Sequence, residues 1–173
     1  MLRTRALSAI LLLIPVAVLL WLGGIPWLVA IVLVGVVGVN ELFVSLRGSG
    51  QRPLVAVGVL SASSMPIAAY TDPTMALLAP LVTLTIMLSL VIVLVRRDVR
   101  HTLGDWAVSV AAALYVAMLL AHFVALRQRD FGLQWILLAF VCTWVCDSAA
   151  YLVGKAIGRR PFAPRISPHK TWE

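Results

Sequence analysis

The chain has 173 residues, 62% of them hydrophobic and 12% charged, and carries a net charge of +7. Its mean hydropathy of +1.02 exceeds that of soluble domains, which are nearer half apolar, and the apolar residues lie in runs about as long as a bilayer is thick. This excludes a soluble globular domain, and with no basic stripe interleaved with aromatics the positive charge does not point to nucleic acid.

In chain order, the runs read as six membrane spans. Arg3 and Arg5 precede the first, Ala6–Leu22. A charged start before an apolar run resembles a signal peptide, but the run is long, lacks a small-residue cleavage site and leads into further spans. It is read as a retained span. Gly23-Gly24-Ile25-Pro26 is a turn signal, and the second span covers Trp27–Leu46. Without that split the first apolar stretch would be twice a bilayer width. A polar loop from Arg47 to Pro53 leads to the third span, Leu54–Tyr70, which contains Pro66. The fourth covers Thr74–Val95, the fifth Asp105–Leu126 and the sixth Leu133–Val153. The expected fold is an all-α, polytopic transmembrane helical bundle over residues 1–153. A basic tail, residues 154–173, follows.

Of the 14 Lys and Arg residues, only Arg127 and Arg129 fall on the side opposite the N-terminus. By the positive-inside rule both ends are cytoplasmic. Cys142 and Cys146 lie four apart in one span, a poor disulfide pair without metal-ligand spacing around it, and read as small apolar helix residues.

Chemistry concentrates from Asp147 onward. A carboxylate inside a span is costly unless it faces a cavity or partner, so function is its default reading; the plainer reading has it near the cytoplasmic end, reaching water. Thr143, Asp147, Tyr151, Gly154 and Gly158 recur at helical spacing and form one polar or small stripe. Gly154 and Gly158 make a small-xxx-small pair suited to close helix contact. Glu41, beside Asn40 near the end of the second span, is either buried against another helix or snorkels to the surface. In the tail, Lys155, Arg159, Arg160, Arg165 and Lys170 fit either anchoring to anionic lipid heads or a site for phosphate groups.

Cys146–Gly154 reads CDSAAYLVG, and Ser167–Glu173 reads SPHKTWE. Together, about twenty residues apart, they resemble the bacterial phosphatidate cytidylyltransferases (CDP-diacylglycerol synthases), whose members read Asp-Ser/Thr-x-Ala-Tyr-x-x-Gly, a basic loop, then Ser-Pro-x-Lys-Thr-Trp-Glu. Arg5 to Arg47 is also similar: Arg-x-x-Ser-Ala, a hydrophobic hairpin and a late Glu, here Glu41. The resemblance implies transfer of CMP from CTP to phosphatidate in phospholipid biosynthesis at the bacterial inner membrane, giving CDP-diacylglycerol and pyrophosphate. It implies Mg2+ as cofactor, and CTP, phosphatidate and membrane lipids as partners. Asp147 and Lys170 are the expected catalytic residues, with Asp147 also holding the metal. Ser148, Lys155, Arg159, Arg160, Ser167, Thr171 and Glu173 are the expected substrate contacts. A homodimer is left open. His169 stands at the variable position of the tail motif.

Family members continue past this Glu into a Lys-Arg, a Lys-Asp and a His-Gly-Gly followed by Asp-Arg-x-Asp, none of which follows Glu173 here. The resemblance therefore implies a truncated chain, inactive alone, whose tail leads into a missing catalytic segment. Two other readings compete: a small transporter using Glu41 and Asp147 as intramembrane groups, and a lipid-binding membrane protein with a basic tail. Neither requires Ser167–Glu173 in this order, whereas the enzyme does.

Overall fold

A computed structural model of the chain describes residues 13–95, 102–163 and 167–172. Six helices appear among them. They are α1 (Leu13–Leu22), α2 (Gly24–Gly48), α3 (Val55–Thr71), α4 (Leu78–Val95), α5 (Thr102–Gln128) and α6 (Gly132–Ile157). Two short antiparallel strands follow, β1 (Pro161–Ala163) and β2 (Ser167–Thr171). Among the described residues α2, α4, α5 and α6 are long and apolar enough to cross a membrane, and α1 and α3 are shorter apolar helices. The all-α bundle of about six spans expected from the apolar runs is what the chain forms. The chain is an integral membrane protein. The part of the first expected span before Leu13, together with Arg3 and Arg5, lies outside the described residues.

The chain divides into two compact units, residues 1–133 and 134–173. In the first, α3 and α5 pack most extensively, with α2 against both. Small residues make this possible. Ala113, Ala117 and Ala121 of α5 recur every fourth position and are fully buried, as are Ala62 and Ala69 of α3. Without a hydrophobic drive between helices in lipid, close backbone approach through small side chains is what holds spans together. Gly58 gives the same room to a large partner, for a Cβ there would stand 2.3 Å from Cε2 of Phe43. The ring of Phe43 is 1% exposed. Large apolar side chains such as Trp21, Leu94 and Val95 point outward instead, where a bilayer solvates them.

Several polar groups inside this unit are paired with one another, while Trp27 Nε1 is buried without a hydrogen-bond partner among the described residues. Asp105, buried in the first turn of α5, accepts the backbone N–H of Arg52 at 2.9 Å. Ser109 Oγ donates to the Asp105 carbonyl and accepts the Leu54 N–H at 2.9 Å. The loop between α2 and α3 is thereby tied to the start of α5. Trp106 Nε1 donates to Ser89 Oγ at 2.9 Å, and Ser61 and Thr85 share a bond at 3.2 Å.

The split between α1 and α2 falls at the glycines. Gly23 and Gly24 have φ of 63° and 52°, a left-handed conformation that glycine adopts without steric cost. Arg127 closes the break. Its Nε donates to the Leu20 carbonyl at 2.9 Å and a terminal nitrogen to that of Trp21 at 3.3 Å, satisfying acceptors that a helix end leaves orphaned.

In the second unit, α6 runs to Ile157, one turn past the expected end at Val153, so Gly154 and Lys155 are helical. The described residues of the tail form a hairpin. Pro161 pairs with Thr171 and Ala163 with Ser167, with a register shift between them, and the Trp172 N–H donates to the Arg160 carbonyl at 2.9 Å. Pro161 and Pro168 are tolerated because a two-stranded ladder is all edge.

Candidate active site

Asp147, Tyr151 and Lys155 follow one another at intervals of four on α6, which puts them on one face. Gly154 and Gly158 leave that face without side chains near its end, and the tail returns against it. A Cβ at Gly154 would lie 3.3 Å from Thr171 Oγ1. The small pair thus receives a strand of its own tail, where helix contact was expected. Between helix and hairpin lies a cleft of about 610 Å³, lined by Asp147, Ala150, Tyr151, Gly154, Lys155, Phe162, Lys170 and Thr171.

Its charges are one carboxylate and two ammonium groups. Lys155 Nζ stands 5.9 Å from the Tyr151 ring centroid, within reach of a cation–π contact. Thr171 Oγ1 is buried with no hydrogen-bond partner among the described residues. A net positive cleft with a spare hydroxyl suits phosphate oxygens, which accept from both donor types. Four of the expected site residues meet here: Asp147, Lys155, Lys170 and Thr171. Ser148, Arg159, Arg160 and Ser167 do not line the cleft, and Glu173 lies outside the described residues. Thr143, on the same stripe, is turned to its own helix and donates to the Ala139 carbonyl at 2.8 Å. Ala150 and Phe162 line the cleft without having been expected there. Phe162 enters through the hairpin, whose pairing no local pattern announces.

Among the described residues no group of three His, Cys, Asp or Glu side chains forms a metal cage. Nucleotide sites hold magnesium by one or two carboxylates, with water and substrate phosphates completing the shell. Asp147 fits such a single anchor. A second cleft, of about 570 Å³, lies along α2 and is lined by Val36, Val37, Asn40, Glu41, Val44 and Ser45. Glu41 is exposed in it, while Asn40 donates to the Val36 carbonyl at 2.7 Å.

Residues 3–173 match the model of the cytidylyltransferase family. The chain belongs to that family. It is similar to a protein named phosphatidate cytidylyltransferase from Bacillus subtilis, 32% identical over 99% of this chain and 65% of the relative. A protein of the same name from Staphylococcus aureus is 29% identical over the same shares, and one from Haemophilus influenzae is 48% identical over 24% of the chain and 15% of the relative. The chain thus spans about 65% of the length of the curated relatives it matches along its whole length. No solved structure matches it significantly.

Proposed function

We propose that the chain acts in CTP:phosphatidate cytidylyltransfer, in the bacterial inner membrane, with both ends of the chain on the cytoplasmic side. The observation that carries this reading is the convergence of Asp147 with Lys155, Lys170 and Thr171 in one cleft, in a chain whose relatives bear that enzyme's name. A phosphate oxygen of phosphatidate attacks the α-phosphorus of CTP, the bond to the β-phosphate breaks, and pyrophosphate leaves with its electron pair. The phosphate nucleophile is already ionised, so no general base is required. Such a transfer depends on positioning and charge neutralisation.

Lys155 and Lys170 neutralise the triphosphate and fix its place above α6. Thr171 donates its spare hydroxyl proton to a phosphate oxygen. Asp147 is the carboxylate that would hold a magnesium ion, which when bound supplies charge neutralisation at the leaving pyrophosphate. Ser148, Arg159, Arg160 and Ser167 are outer contacts for the lipid phosphate or the nucleotide, and Glu173, outside the described residues, orients the base or a metal-bound water. The test is release of pyrophosphate from CTP, dependent on phosphatidate and magnesium, in lipid–detergent micelles. It is run on this chain and on a version extended to the length of its relatives. Pyrophosphate release in either, lost on removing phosphatidate, supports the reading; its absence in both, with each folded, overturns it.

A further inference from the structure

Phe162 and Trp172 stand together on the hairpin, ring centroids 4.6 Å apart and planes at 75°. That edge-to-face geometry is favourable. Yet the rings are not core, being 52% and 69% exposed. Two aromatic rings in water on a two-stranded ribbon are a cost that some partner must relieve.

Their position says which. Thr171 sits against Gly154 and Gly158, so the hairpin is fixed to the last turns of α6 and does not trail from it. α6 is long and apolar enough to cross a bilayer. Where such a helix leaves the hydrocarbon, Trp is the residue enriched, its ring lying at headgroup depth. Around the pair, Lys155, Arg159, Arg160 and Lys170 are all exposed. Lys and Arg stems lie along apolar surface while their charges reach anionic headgroups. We infer that the Phe162–Trp172 pair is an interfacial anchor, seating the hairpin in the headgroup layer of an anionic leaflet and setting the height of Lys170 above the membrane. This does not depend on the transfer reaction and holds for the chain with any substrate.

The test places the chain in phosphatidylcholine vesicles with and without phosphatidylglycerol. The Trp172 signal is isolated as the fluorescence difference between the chain and Trp172→Phe. With anionic lipid, shallowly brominated lipids quench this signal, and its quenching by acrylamide falls roughly twofold relative to phosphatidylcholine alone. A signal open to acrylamide and blind to bromolipid places the hairpin in water and overturns the inference. One blind to both means that protein covers the rings, which also overturns it; equal behaviour in both vesicle types removes the anionic preference. Should Trp172→Phe not fold, a spin label at Phe162→Cys, in a Cys142→Ala, Cys146→Ala background, gives the same decision. Collisions with oxygen exceeding those with a water-soluble nickel chelate support the anchor, and the reverse sinks it.

Discussion

Gly158 lies directly under Thr171: a Cβ built on the glycine would stand 2.5 Å from the threonine Oγ1 and 2.9 Å from its Cγ2. The same Cβ would also run into the Gly154 carbonyl, so Gly158→Ala should disturb the end of α6 and push the hairpin off it while leaving the unit of α1 to α5 intact. The expected result is faster tryptic cleavage after Arg159 and Lys170 in micelles, with little change in total helicity by circular dichroism. Unchanged cleavage would show that the contact yields without loosening the hairpin.

The spans were legible because lipid imposes a length on apolar runs, and the Gly23–Pro26 split is realised by two glycines at positive φ. The end of α6 was less so. Gly154 and Gly158 have the spacing of a helix-contact pair, and nothing local tells a second helix from a returning strand. Pro161 lies in β1 of a two-stranded ladder, where a missing N–H is tolerated at an edge. Asp147, Lys155, Lys170 and Thr171 could be named from the resemblance of CDSAAYLVG and SPHKTWE to the family's motifs. Phe162 could not, since its place depends on strand pairing across the basic loop.

The contact between Gly58 and Phe43 sets the α2–α3 packing. Gly58→Ala forces a methyl into the Phe43 ring, 2.3 Å away at Cε2, with Val39 Cγ2 only 3.0 Å off. Overpacking of this kind costs about 1–3 kcal/mol, read as a lower midpoint in a denaturing-detergent titration. Phe43→Ala alone leaves a cavity, costing about 3–5 kcal/mol. Combined with Gly58→Ala it should lose less than the sum, because the methyl then enters the space the ring vacates.

Arg127 tests the α1–α2 break. Removing its guanidinium in Arg127→Ala leaves the Leu20 and Trp21 carbonyls without this donor, at about 1–3 kcal/mol for the part-buried Leu20 acceptor and less for the exposed one of Trp21. The expected signature is local: amide exchange rises in α1 and at Gly23, while the buried alanines of α5 keep their protection. A uniform rise through the whole unit would contradict the role of a cap.

Asp72, in the loop between α3 and α4, has its carboxyl held below the ordinary carboxylate value, chiefly by the Thr74 hydroxyl and also by backbone N–H groups of Thr74, Leu77 and Ala76. A depressed folded-state value means that the unfolded chain takes up the proton first. The stabilisation is therefore complete above about pH 4 and lost as pH falls through the lower folded-state value. Asp72→Asn should remove that part of the acid dependence of unfolding and leave the curve above pH 5 parallel to the parent's. Thr74→Val should reproduce most of the change.

The cleft itself is tested by Asp147 and Lys170 taken together. Asp147→Asn keeps size and hydrogen-bonding capacity while removing the charge that would anchor magnesium, and Asp147 is exposed, so stability should hold. Pyrophosphate release in the extended form should fall roughly a hundredfold or more, with a raised magnesium requirement. Lys170→Ala should lower kcat/KM for CTP by a similar order, and Lys170→Arg should recover part of it, since Arg keeps the charge but spreads it over a wider fork. If Asp147→Asn instead left activity and magnesium dependence untouched, the metal anchor would have to lie elsewhere in the protein. Lys155 and Lys170 would then remain as phosphate contacts, separable from it by their own effect on KM for CTP.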